Sequence, residues 1–247
     1  MDLGLRDRAF IVTGGSRGLG LATATALVDE GAHVLLVARD QHAAQQACDR
    51  LPGTAVLAGD LADSDLAERA VHACLASFGR LDGALISGGG PAPGTALTVS
   101  DDAWRTAFES VFLGGLRLAR AVLAQPSPVA VAWVLSTSAV EVFSGLAASN
   151  GLRPGLAMLV KDLADEVAPS GSRVVGLLPG RIATDRIATL DAAAGPDAAE
   201  RSRRAIPMQR YGEPAEFGRV AAFVLSPAAS YVTGTLIAID GGLTRQP

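Results

Sequence analysis

"TGGSRGLG", residues 13–20, is the stretch on which the fold turns. It closes a short apolar run, "RAFIVTGG" (8–15), and opens a segment with helical spacing, "GLATATALVDEGA" (20–32). Gly14, Gly18 and Gly20 permit a tight turn and let the backbone come close to an anion. The helix start beyond them offers unpaired N–H groups and the positive end of the helix dipole. Ser16, Arg17 and Leu19 fill the rest of the turn.

Outward from that turn, apolar runs alternate with helical patterns. Strands are expected at 33–39, 55–61, 81–90, 128–138, 172–180 and 235–242, which makes seven with the first. Helices are expected at 40–51, 63–79, 99–125 and from Pro154 to Pro169. Near-continuous apolar strands with helical crossovers predict an α/β domain: a parallel sheet covered on both faces. No repeat or linker divides the 247 residues, so residues 1–247 read as one domain. Thr184 to Pro207 breaks the rhythm; it is rich in Ala, Asp and Arg and reads as a mobile lid of one or two short helices.

Composition narrows the function. Hydrophobic residues make up 49% and charged residues 19%, which predicts a sizeable core. A net charge of −4 argues against a nucleic-acid or anionic-membrane surface. No apolar run reaches the ~18 residues of a membrane span. The N-terminus has acidic residues and soon enters a strand, so no signal peptide is expected and the cytoplasm is favoured. Cys48 and Cys74 have no ligand set around them, which argues against a metal site. His33, His42 and His72 read as surface or packing residues.

The glycine turn has the context a dinucleotide site requires: strand before, helix after, and Asp60 with Leu61 ending the third strand. Asp60 can accept from an adenine amino group. The second strand ends "VAR" (37–39), without the ribose-binding carboxylate expected near Ala38. Arg39 and Arg17 stand there instead, which suits a 2′-phosphate and favours NADP(H) over NAD(H).

These pieces resemble the short-chain dehydrogenase/reductase family over nearly the full length. The matching segments are "TGGSRGLG" (13–20), "GDL" (59–61), "LLPGRIATD" (177–185), "RYGEPAEFGRVAAFVLSPAASYVTG" (210–234) and "IAIDGG" (237–242). The last two are similar to the C-terminal part of 3-oxoacyl carrier-protein reductase-like members. The resemblance implies a doubly wound Rossmann-type domain with a seven-stranded sheet, a nicotinamide cofactor, a small-molecule substrate and a homo-oligomer, tetramer or dimer. It also places Pro179, Gly180 and Ile182 beside the nicotinamide and Thr184 at its carboxamide or phosphate. The family's "NNAG" turn becomes "SGGG" (Ser87 to Gly90), which puts Gly88 and Gly89 at the cofactor.

The chain departs from that family at its chemistry. The family uses an Asn, a Ser, a Tyr and, four residues later, a Lys. Here the Tyr position falls on Ser149 and the Lys position on Arg153, within "SNGLR" (149–153). The Asn position holds Val111 or Phe112. The Ser position falls on Ser136, with Ser138 close behind. A serine hydroxyl is a far weaker acid than a phenol, and an arginine binds and polarises without shuttling protons. Tyr211 and Tyr231 lie in segments that read as packing or loop.

Several chemistries remain open. Ser136, Ser138, Ser149 and Asn150 can hold a carbonyl oxygen beside a ribose-binding Arg153 while water supplies the proton. Substrate, or Glu141, can supply the acid instead. The fold can serve non-redox isomerisation, dehydration or cyclisation, or bind cofactor without turnover. "SNGLR" can also be simply a helix start, with Ser149 or Asn150 as cap and Pro154 in the first turn, and Pro154 would then bias Arg153 away from helical geometry. The substrate pocket is expected to be apolar, with Trp104 packing the long helix rather than lining it.

Overall fold

A computed structural model describes residues 2–245. Seven parallel strands form one sheet in the order β3-β2-β1-β4-β5-β6-β7. They are β1 (Ala9–Thr13), β2 (His33–Ala38), β3 (Thr54–Ala58), β4 (Gly83–Ile86), β5 (Ala130–Val134), β6 (Arg173–Pro179) and β7 (Thr235–Ile239). The order reverses between β1 and β4, and crevices beyond the carboxyl ends of strands at such a point are where these sheets hold ligands.

Helices cover both faces, as the apolar strands require. On one side lie α1 (Gly18–Asp29), α2 (Gln41–Cys48) and α9 (Pro214–Leu225), packed on Phe10, Val12, Leu36 and Leu177. α1 and α9 touch closely: a Cβ at Gly218 would lie 2.3 Å from the Ala22 carbonyl oxygen. On the other lie α3 (Leu66–Phe78), α4 (Asp101–Ala107), α5 (Gly114–Leu123) and α6 (Ala147–Val167), packed on Ile11, Leu35, Ile86 and Trp133. α7 (Asp185–Ala193) and α8 (Ala198–Ala205) are two short helices within residues 184–207, and α7 has no buried residue. Among the described residues no helix is long and apolar enough to cross a membrane.

Two helices differ from expectation. The long helix at 99–125 is interrupted by a π-helical turn over Phe108–Leu113, joining α4 to α5. That turn carries Val111 and Phe112, and π turns recur at functional sites. α6 begins at Ala147, seven residues before Pro154. Its first N–H is held by the Gly94 carbonyl at 3.0 Å, and Gly94 in turn donates to Gly145. Asn150 folds the preceding loop onto the helix by bonding both backbone groups of Phe143. With its start fixed this way, α6 runs through Pro154, whose ring faces solvent. A proline inside a helix costs about 3 kcal/mol, and the burial of Ala148, Leu152 and Leu156 opposes that cost. Neither Ser149 nor Asn150 caps α6, and Arg153 keeps helical geometry.

Candidate active site

The site begins at the turn after β1. Thr13 ties it to the next strand: its hydroxyl donates to the Ser87 carbonyl and accepts from the Ser87 N–H at 2.7 Å. Gly14 and Gly18 hold φ of 63° and 56°, a conformation that favours glycine. A Cβ at Gly20 would sit 2.2 Å from the Gly14 carbonyl oxygen, so only glycine lets α1 start this close to the turn. Arg17 stands before α1 in extended backbone and makes no side-chain cap. Ser16 and Leu19 are half-buried, and Leu19 packs on the core beneath α1. The first N–H groups of α1 therefore keep their capacity for an anion.

The chain after β6 returns over this turn. Gly180 donates to Ile239, and a Cβ there would meet the Asp240 side chain at 2.6 Å. Pro179 pairs with Ile239, and Ile182 is buried against Gly212. The Thr184 methyl comes within 3.7 Å of the place a Gly18 Cβ would take. Gly88 backs onto Leu61 at the end of β4, while Gly89 faces open space. Beyond β2, Arg39 faces Asp60 at 3.6 Å, and 71% of the Arg39 side chain is exposed. The other Asp60 oxygen accepts from Ala62 at 3.0 Å.

Beyond β5, Ser138 and Ser149 are both buried and their hydroxyls lie 2.8 Å apart. Ser138 rather than Ser136 therefore meets Ser149. Ser136 turns its hydroxyl to the Ser138 N–H and shapes a short 3-10 turn over Thr137–Ala139. Asn150, expected to hold substrate, instead braces Phe143 with its carbonyl and amide groups. Glu141 accepts from the Arg245 N–H, which ties its carboxylate to the C-terminal segment. Trp104 packs where a Cβ at Gly151 would be 2.8 Å away, as expected of a packing residue.

Arg153 is the most unusual group. It is only 4% exposed, and its Nη1 donates to the Val134 carbonyl at 2.8 Å. Its Nε is the one buried side-chain N or O atom without a partner among the described residues. Burial and the neighbouring charge of Arg186 lower its pKa to about 10, still protonated at neutral pH. Arg186, absent from the sequence reading, lies in the first turn of α7. It reaches to the Gly90 and Pro91 carbonyls beyond β4 at 3.2 and 3.0 Å. Its only sequence signal is its place directly after "IATD".

The tyrosines are spent elsewhere. Tyr211 donates to Asp191 of α7 at 2.7 Å, and Arg181 holds the same carboxylate at 2.9 Å. Burial and Asp191 raise the Tyr211 pKa. Tyr231 is fully exposed. His33 stacks on Phe78, and burial pushes the Cys74 thiol up to about 12.

Comparison with known proteins agrees with this architecture. Residues 14–244 match a family model described as enoyl-(acyl carrier protein) reductase. A Caenorhabditis elegans protein, dehydrogenase/reductase SDR family member 4, is 32% identical over 244 residues, covering 94% of each chain. The NADPH-bound L-sorbose reductase of Gluconobacter frateurii superposes with a TM-score of 0.91 at 28% identity, over all of both chains. YwfH, an NADPH-dependent reductase of bacilysin biosynthesis, gives 0.91 at 25% identity, over 97% of this chain and 99% of its own.

Proposed function

The chain belongs to the short-chain dehydrogenase/reductase family, and on that premise we propose that it is an oxidoreductase using NADP(H) in preference to NAD(H) on a carbonyl or imine carbon of a small molecule. The observation that carries this reading is the buried Arg153, whose Nε–H lacks a partner at the carboxyl end of β5. A buried guanidinium donor left unpaired costs about 1–3 kcal/mol or more, which a ligand oxygen would recover. The residues fit a dinucleotide. The turn from Gly14 to Gly20, with Ser16, Leu19 and the α1 start, binds the pyrophosphate. Thr184 closes on it, and Gly88 and Gly89 border the ribose side. Pro179, Gly180 and Ile182 flank the nicotinamide, and Asp60 with Leu61 the adenine. Arg17 and Arg39 receive the 2′-phosphate, Arg39 leaving its long, exposed pairing with Asp60. NADPH bound by the sorbose reductase and used by YwfH supports that choice.

A bound reduced nicotinamide supplies a hydride to an electrophilic carbon. Ser138 and Ser149 donate to the oxygen on that carbon, and the Arg153 charge favours the negative charge growing there. The oxygen takes its proton from water, and the hydroxide left behind passes to solvent. Without a positioned acid the step is ~10²–10⁴ slower than with one, which a reactive carbonyl tolerates. The test is deuteride transfer from stereospecifically labelled NADPH to a panel of carbonyl compounds, beside titration with NADPH and NADH. Binding of neither nucleotide sinks the reading. Tight NADPH binding with no transfer replaces it with a non-redox or binding role.

A further inference from the structure

Two guanidinium groups lie beyond the carboxyl ends of neighbouring strands, close enough that the charge of Arg186 acts on Arg153. Arg186 lies over the loop that leaves β4, and Arg153 over the end of β5, the adjacent strand. Neighbouring strands are about 4.8 Å apart. Among the described residues neither arginine forms an ion pair. Arg186 uses two of its five donors, both on neutral carbonyls, and the Arg153 Nε uses none. The chain makes room for this arrangement. A Cβ at Gly90 would lie 2.1 Å from the Arg186 Cζ, so the guanidinium occupies the space of an absent side chain.

We propose that the substrate of this site carries a carboxylate, and that Arg186 is the residue that binds it, swinging from the Gly90 and Pro91 carbonyls to the anion above Arg153. This rests on the reading of the site as a carbonyl-reducing one and specifies its substrate class. Like charges facing one opening lower each other's stability, and an anion between them relieves both. A carboxylate is planar and takes a guanidinium in two parallel bonds, stronger than those Arg186 makes to carbonyls. The other anion at hand is a phosphate of the cofactor. On the proposed reading that anion goes to the α1 start and to Thr184, whose methyl lies beside Gly18. Arg186 instead reaches the loop that continues through Gly94 to Leu146 and α6, the element of Ser149.

The experiment is calorimetric titration, with and without NADP⁺, of pyruvate, 3-oxobutanoate, 4-oxopentanoate and phenylpyruvate, each beside its amide. At least one acid should bind about tenfold or more tighter than its amide. Arg186→Gln should abolish that difference and leave NADP⁺ affinity within about twofold, and Arg186→Lys should keep part of it. No preference for acid in any pair, including no binding at all, overturns the proposal. So does Arg186→Gln if it weakens NADP⁺ binding and leaves the acid preference intact, since the anion is then the cofactor's. Binding is read without turnover, so an acid preference in a protein that transfers no hydride keeps the anion site and removes only the redox reading.

Discussion

Arg173 and Arg153 are both buried, both lack a carboxylate partner among the described residues, and sit at opposite ends of the strands. Arg173 opens β6. Its guanidinium donates to the carbonyls of Val224, Ser226 and Val232 at 2.9, 3.0 and 3.1 Å, gathering the end of α9 and the chain after it. Arg153 lies by the end of β5, makes one such bond, and leaves Nε bare. Burial lowers the pKa of each, and for Arg153 the charge of Arg186 lowers it further. An arginine whose donors are spent on the backbone holds the fold. One buried with a donor to spare is held ready for something the chain itself does not supply. A parallel sheet separates the two roles, with ligands beyond the carboxyl ends of its strands.

The comparison breaks most directly by removing each charge in turn. Arg173→Met should cost about 3–5 kcal/mol of stability in urea unfolding, because three buried carbonyls lose a charged donor. Below its melting point the variant should still bind NADPH. Arg153→Met should do the reverse. It frees one carbonyl but removes a buried orphan donor, so stability should move by less than about 2 kcal/mol. Hydride transfer should fall about 10²–10³-fold, the usual effect of losing one group that stabilises a developing oxyanion. Equal loss of stability in the two variants would make Arg153 merely another brace.

A third arginine sharpens the contrast from the solvent side. Arg39 is mostly exposed, and its pairing with Asp60 at 3.6 Å is of the kind worth little. Arg39→Ala should therefore leave the melting temperature unchanged. It should lower the preference for NADP⁺ over NAD⁺ about tenfold, read as the ratio of the two dissociation constants. An unchanged ratio would leave the 2′-phosphate to Arg17 alone.

The fold was legible because its signals are local. The apolar strands and the glycine turn state their conformations in consecutive residues, and all seven strands appear where the pattern put them. The site was legible only in part, since side-chain direction is set by tertiary contacts. Spacing put the family's Ser at Ser136 with Ser138 close behind, and the 3-10 turn after β5 is what brings the Ser138 hydroxyl to Ser149. Pro154 argued for a helix start, and the Gly94 and Phe143 contacts that override it come from a loop more than fifty residues away and from the segment just before. Arg186 was missed because its partners, Gly90 and Pro91, are about a hundred residues upstream.

The smallest effect expected is the absence of one, and it bears on the pair at Ser149. A tyrosine with a neighbouring lysine brings groups that titrate, whereas a serine hydroxyl does not ionise in the accessible range. His33, His42 and His72 lie on β2, α2 and α3, away from the Ser138–Ser149 contact. With water as the proton source, kcat/KM should be level from about pH 6 to about pH 9. On the proposed reading, and beside Arg186, Arg153 is the cation facing the reacting carbon that can change charge. Its pKa is lowered to about 10, so the charged form lies on the acid side and activity should decline as pH rises toward that value. Arg153→Met should lower the level and also remove the alkaline decline. Ser149→Tyr with Arg153→Lys should bring an ionisation into the profile and a gain in reduction of unactivated ketones. A wild-type profile with a step near neutrality would mean that a protein acid acts here after all, and would move the search to Glu141, whose carboxylate would then have to leave the Arg245 N–H.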